Sequence, residues 1–169
     1  IHPAEPESAG RAEDFAAAAR MAREAVTAVR GKACRASEKT FFCGCADSRM
    51  TQASNADPEA KAFPEYMGAR FGAKFAVCSK DPDEKEIAEL VKCADGAENI
   101  IFSSCNAHLF RGQLALAAAL AEKGVPMTVA ALRNPYDLPL MPENAALLAA
   151  FDYSRDSLAA LADVFSGGA

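Results

Sequence analysis

Short apolar runs alternate along this chain with longer segments whose apolar residues recur every three or four positions. Residues 40–44 (Thr-Phe-Phe-Cys-Gly), 74–78 (Lys-Phe-Ala-Val-Cys), 99–103 (Asn-Ile-Ile-Phe-Ser) and 127–132 (Met-Thr-Val-Ala-Ala-Leu) have the length and composition of strands, and 147–151 is an alanine-diluted fifth. Between them the period lengthens. Phe15, Ala18, Ala22, Ala25, Val26 and Val29 predict a helix over 11–30, ended by Gly31. A second helix is predicted from Pro58 to Ala69, with Pro64 a possible break in it. Asp81-Pro82-Asp83-Glu84 reads as a helix start with Asp81 at the N-cap, and Gly96 as its end. A nearly all-apolar helix over 108–123 should lie deep, and Ser154 should cap a last helix running to Phe165.

Strands that are apolar throughout, alternating with helices, predict a mainly parallel sheet of five or six strands covered on both faces. The expected architecture is therefore a three-layer α/β/α sandwich of flavodoxin- or Rossmann-like type. In such sheets ligands meet the carboxyl ends of the strands. Here those ends fall at 43–47, 79–81, 103–108, 132–137 and 152–153.

Length and charge then narrow the field. The 169 residues suffice for one ordinary domain, and 51% apolar against 24% charged is a globular mixture. No apolar run approaches the ~20 residues of a membrane-spanning helix. A net charge of −5 without clustered Lys and Arg argues against nucleic-acid binding. Six cysteines in a chain too long to need staples, several inside apolar segments, favour buried free thiols and a reducing compartment such as the cytoplasm. The sequence opens on Ile1, so a piece of a longer chain is expected, with the Pro- and Glu-rich residues 1–10 as a linker.

The residues bear on several chemistries. A dinucleotide site wants Gly-x-Gly-x-x-Gly after the first strand, but the chain offers Gly44-Cys45-Ala46-Asp47-Ser48-Arg49, poor material for an anion cradle. Cys45-Ala46-Asp47-Ser48-Arg49 is similar to the Cys-x-Asp-x-Arg signature of beta-class carbonic anhydrases, and Cys105 and His108 could complete a zinc ligand set. Their order is the reverse of that family's His-x-x-Cys, and no metal or other cofactor is assigned. His108 suits acid–base work, yet no Gly-x-Ser-x-Gly elbow surrounds Ser103 or Ser104, so it is expected to fix a loop or meet a partner. Asp47, Asp81 and Asp137 all lie near the carboxyl edge. In Arg133-Asn134-Pro135-Tyr136-Asp137-Leu138, Pro135 makes the strand exit rigid, Arg133 and Asp137 could pair or present charge, and Tyr136 offers an amphipathic face.

From about 99 to 168 the text resembles the C-terminal domain of family 3 glycoside hydrolases, in the branch that includes bacterial beta-N-acetylhexosaminidases. The matching elements are Asn106-Ala107-His108, then Gly112-Gln113, Lys123-Gly124-Val125-Pro126, Ala131 to Leu138, and Asp152-Tyr153-Ser154 leading into Ser157-Leu158 and Gly167. The resemblance implies residues 11–169 as that domain. It also implies an N-terminal (β/α)8 barrel in the same polypeptide, carrying the aspartate nucleophile and, in this branch, a histidine acid–base on a loop. No Lys-His-Phe-Pro-Gly-His-Gly signature occurs here and no glutamate matches the one donated by this domain in other branches, so no catalytic residue is assigned. The expected partners are that barrel and carbohydrate at the domain junction, bordered by Asn106, His108, Arg133, Asn134, Tyr136 and Asp137. A stand-alone α/β binding domain without a barrel, and a zinc lyase of the carbonic anhydrase kind, are the other readings.

Overall fold

The computed structural model of the protein describes residues 12–46 and 61–167. The expected linker, the loop over 47–57 with Asp47, and the start of the second helix at Pro58 lie outside those residues. The elements run α1 (Ala12–Ala25), β1 (Thr27–Arg30), β2 (Thr40–Cys45), α2 (Phe63–Phe71), β3 (Lys74–Cys78), α3 (Glu84–Cys93) and β4 (Asn99–Ser104). There follow α4 (Arg111–Ala121), β5 (Met127–Ala131), a 3-10 helix (Pro135–Leu140), β6 (Ala146–Ala149) and α5 (Arg155–Phe165).

The six strands form one sheet in the order β1-β6-β5-β4-β2-β3, parallel except for β1, which runs antiparallel to β6 at one edge. Side chains of successive strand residues point to opposite faces, and the core divides accordingly. Phe41, Cys43, Ile100, Phe102, Val129 and Leu147 meet Leu90 of α3 and Leu116 and Leu120 of α4. Phe42, Ile101, Ala130 and Leu148 meet Phe63 and Met67 of α2 and Leu161 and Phe165 of α5. This is the three-layer sandwich. Covering both faces is why β2, β4 and β5 carry apolar residues at odd and even positions alike.

The close spacing of β2 and β4 depends on one residue. Gly44 sits opposite Ser103 in the register, and a Cβ at 44 would fall 1.9 Å from the Ser103 hydroxyl.

Several elements differ from the sequence expectations, among them the fifth expected strand, which spans Ala146–Ala149 rather than 147–151. The opening helix stops at Ala25, not Arg30, and Thr27–Arg30 forms the antiparallel edge strand. Arg30 secures it, donating from Nε to the Ala145 carbonyl at 3.1 Å and from its terminal nitrogen to the Pro142 carbonyl. The N-cap of α3 is Asp83, whose carboxylate accepts the Glu86 N–H at 2.8 Å, and not Asp81. Pro64 does not break α2 but stands in its first turn, where no intrahelical N–H is needed. The deep helix starts at Arg111 rather than His108, because Asn106 takes a left-handed φ of 55° and its carbonyl accepts the N–H groups of Leu109 and Phe110 in a preceding turn. Ser154 caps α5 as expected, accepting from the Ser157 N–H.

Candidate functional site

The strand order reverses between β2 and β4, since β3 lies on one side of β2 while β4, β5 and β6 follow on the other. A crevice at the carboxyl ends of those two strands is the usual ligand position in such a sheet. Thiols occupy it here. Cys45 and Cys105 are both buried, and the Cys45 thiol is hydrogen-bonded to Cys105. That contact and the burial around it push the Cys45 thiol well above its ordinary range. Cys78 is raised in the same way by its hydrogen bond with Cys43 and by burial. Neutral thiols in apolar surroundings are inert.

The polar groups gather one strand over, between the loops that leave β4 and β5. Asp137 is completely buried, and one of its carboxylate oxygens accepts from the His108 backbone N–H at 2.9 Å and pairs with His108 Nδ1 at 2.7 Å. Its other oxygen, also buried, has no hydrogen-bond partner among the described residues. The imidazole itself is a quarter exposed. The Tyr136 ring stands at 85° to it with centroids 6.0 Å apart. Beside this pair, the Asn134 amide donates to the Asn106 side-chain oxygen at 2.9 Å, and Leu132 N–H donates to the Ser104 carbonyl at 3.0 Å. The two loops are thus joined through His108–Asp137 and Asn106–Asn134, with Leu132 tied back to the end of β4.

Of the sequence candidates, the fold therefore assembles His108, Asp137 and Tyr136 into one cluster and Asn106 with Asn134 into an adjoining pair. Of the two options for Arg133, the fold does not pair it with Asp137; its guanidinium lies over the Tyr153 ring, 5.5 Å from the centroid. Asp81 is elsewhere on the same edge, its carboxylate accepting the Gly112 N–H at 2.7 Å. His108 is directed at Asp137, and among the described residues no three His, Cys, Asp or Glu side chains gather as a metal ion would require.

One organiser carried no structural role in the sequence beyond its place in the Gly112-Gln113 element. Gln113 is fully buried in α4, accepts the Cys105 N–H at 3.0 Å, and donates to the carbonyls of Lys80 at 2.8 Å and Cys105 at 3.1 Å. It ties the loop after β3 to the loop after β4. Its neighbour Gly112 permits the approach, because a Cβ there would meet the Pro82 carbonyl oxygen at 2.3 Å. A lone glutamine in an otherwise apolar helix was the available signal.

The geometry offers an imidazole held by a buried carboxylate, an exposed aromatic ring at its side, and rigid loops beneath both. Nδ1 of the imidazole is engaged by Asp137, so a neutral ring that donates from Nδ1 keeps its lone pair on Nε2.

No family model and no curated protein sequence matches the chain. Solved structures do. A glycoside hydrolase family 3 beta-N-acetylglucosaminidase from Paenibacillus sp. superposes with a TM-score of 0.79 at 21% identity, covering 99% of this chain and 33% of the enzyme. A beta-glucosidase from Listeria innocua, in complex with isofagomine, gives 0.74 at 11% identity, covering 99% of this chain and 27% of that one. A fungal multi-domain family 3 beta-N-acetylglucosaminidase gives 0.68 at 16%, covering 97% and 19%. The chain spans about a third or less of the length of each. It shares the fold of domains found across family 3 glycoside hydrolases, and that fold is not particular to the N-acetylhexosaminidase branch suggested by residues 99–168.

Proposed function

We propose that this chain is the accessory C-terminal domain of a family 3 glycosidase acting on beta-linked N-acetylglucosamine-type sugars. The reacting carboxylate would reside on a (β/α)8 barrel N-terminal to it. The reading is carried by one observation, the superposition of 99% of this chain on one third of the Paenibacillus enzyme. The order of motifs from Asn106 to Gly167 favours the N-acetylglucosaminide branch over the glucosidases that share the fold.

The chemistry expected of such an enzyme is retaining, through a covalent glycosyl intermediate formed by a carboxylate nucleophile. That chemistry needs two suitably spaced groups. The carboxylates of Asp81 and Asp137 are each engaged with a partner of their own, Gly112 N–H and His108. In this reading the domain's task is to present a rigid edge, formed by Asn106, His108, Arg133, Asn134, Tyr136 and Asp137, to the barrel and the outer wall of its sugar cleft. Domain junctions of this kind bury ~600–1,500 Å².

The test is turnover of an aryl N-acetyl-beta-glucosaminide by the purified 169-residue chain, and by the same chain preceded by a family 3 barrel. The expected result is hydrolysis only when the barrel is present. Hydrolysis by the chain alone would refute the reading.

A further inference from the structure

The geometry points to Nε2 of His108 as a hydrogen-bond acceptor for a sugar hydroxyl, with the exposed ring of Tyr136 beside it as the surface for the sugar's C–H face. This rests on the carbohydrate reading above and gives it two atoms-level contacts. Asp137 is wholly buried, and its one engaged oxygen receives both the backbone N–H and the Nδ1 of His108. A buried carboxylate is tolerated when its charge is answered by hydrogen bonds. Its second oxygen finds no donor among the described residues, so His108 is its principal partner.

Donation from Nδ1 to the engaged oxygen selects, for a neutral ring, the tautomer whose lone pair is on Nε2. No hydrogen bond to Nε2 is made among the described residues, and the ring reaches the surface with 25% of its side chain exposed. Tyr136, 70% exposed, stands perpendicular to it. An apolar aromatic face and an uncharged acceptor side by side suit a pyranose, which has a C–H face and a rim of hydroxyl donors. An anionic ligand would meet the Asp137 carboxylate directly behind the imidazole, and the nearby Arg133 charge is laid over Tyr153 instead. The loop ties Asn134–Asn106 and Leu132–Ser104 keep both rings in place before any ligand arrives.

The experiment uses the 169-residue chain with ¹⁵N-labelled histidine. Long-range proton–nitrogen spectra read the tautomer of His108, with His108→Phe separating its signals from those of His2. The chain is then titrated with N-acetylglucosamine and, separately, with glucose. The expected result is an unprotonated Nε2 whose resonance shifts saturably and together with the Tyr136 ring protons. Tyr136→Ala should weaken that binding at least about tenfold, while Leu109→Ala, a change at an exposed neighbour, leaves it intact. A proton found on Nε2 rather than Nδ1 overturns the proposal without any variant having to fold. So does the absence of a shift with both sugars up to about 100 mM, or binding indifferent to Tyr136→Ala. Binding of glucose but not N-acetylglucosamine upholds the acceptor and counts against the N-acetylglucosaminide reading, so the two proposals fail separately.

Discussion

His108 and Asp137 are joined twice: the backbone N–H and the imidazole Nδ1 of the histidine meet the same carboxylate oxygen, at 2.9 and 2.7 Å. Because the residues are 29 positions apart, this double link closes the loop after β4 onto the loop after β5. A side chain that engages both main chain and ring fixes the direction of the ring as well as its distance. The orientation of the imidazole is thus a property of the fold.

Removing that carboxylate should loosen both loops. Asp137→Ala leaves two donors unanswered in a buried place and is expected to cost about 3 kcal/mol in urea unfolding. Asp137→Asn keeps one oxygen acceptor and should cost roughly half as much. Equal stability of wild type and Asp137→Ala would show that the pair does not hold the loops.

Gln113 offers a second test, independent of the first. Gln113→Leu preserves volume but strands the Cys105 N–H and the Lys80 carbonyl, for an expected loss of about 2–3 kcal/mol. Gln113→Glu should be worse, since a carboxylate cannot donate to the two carbonyls and adds a buried charge. Thermal unfolding of the two variants beside wild type gives the order.

At Gly112 the constraint is steric. A methyl group there would press on the Pro82 backbone at 2.3 Å, and backbone on both sides leaves little room to yield. Gly112→Ala is expected to cost about 2 kcal/mol in denaturant titration, against the small gain usual for Gly→Ala inside a helix.

Acid stability should carry the mark of Asp152. Partial burial opposes its ionised form, but hydrogen bonds from Ser154, the Tyr153 backbone and Ser157 outweigh it and hold its carboxyl below the ordinary range. A carboxyl lower in the folded than in the unfolded chain stabilises above the unfolded value, about 3.9, and that stability is lost as the pH falls through the folded value. Asp152→Asn should therefore be less stable at neutral pH and lose stability less steeply in acid. Urea melts from pH ~6 to ~2 read both effects, and parallel curves would contradict the assignment.

Thiol reactivity tests the core directly. Cys93 is exposed and Cys34 half-buried, whereas Cys43, Cys45, Cys78 and Cys105 are buried. Alkylation by iodoacetamide followed by mass spectrometry should mark Cys93 first. Cys45 and Cys78, buried and held as neutral thiols, should react on unfolding. Rapid labelling of either in the folded chain would speak against the packing between β2, β3 and β4.

By itself the sequence determined the layers of this protein. Apolar runs such as 74–78 and 99–103 and the amphipathic spacing around Ile87 and Leu90 are local patterns, and burying them leaves few architectures open. Ser154 was legible as a cap because its partner, the Ser157 N–H, lies three residues away. What only the tertiary structure decided are the choices between near-equal local options. Ala22, Val26 and Val29 fit a continuing helix, yet the free edge of β6 drew Thr27–Arg30 into the sheet. Asp81 was the expected cap of α3, but Asp83 takes that place and Asp81 accepts the Gly112 N–H of α4 instead. Asp137 had Arg133 nearby in sequence and took His108 instead, from a loop that only the parallel pairing of β4 and β5 places within reach. Periodicity is a short-range property of the chain, whereas the partner of a buried polar group depends on which loops the sheet brings together.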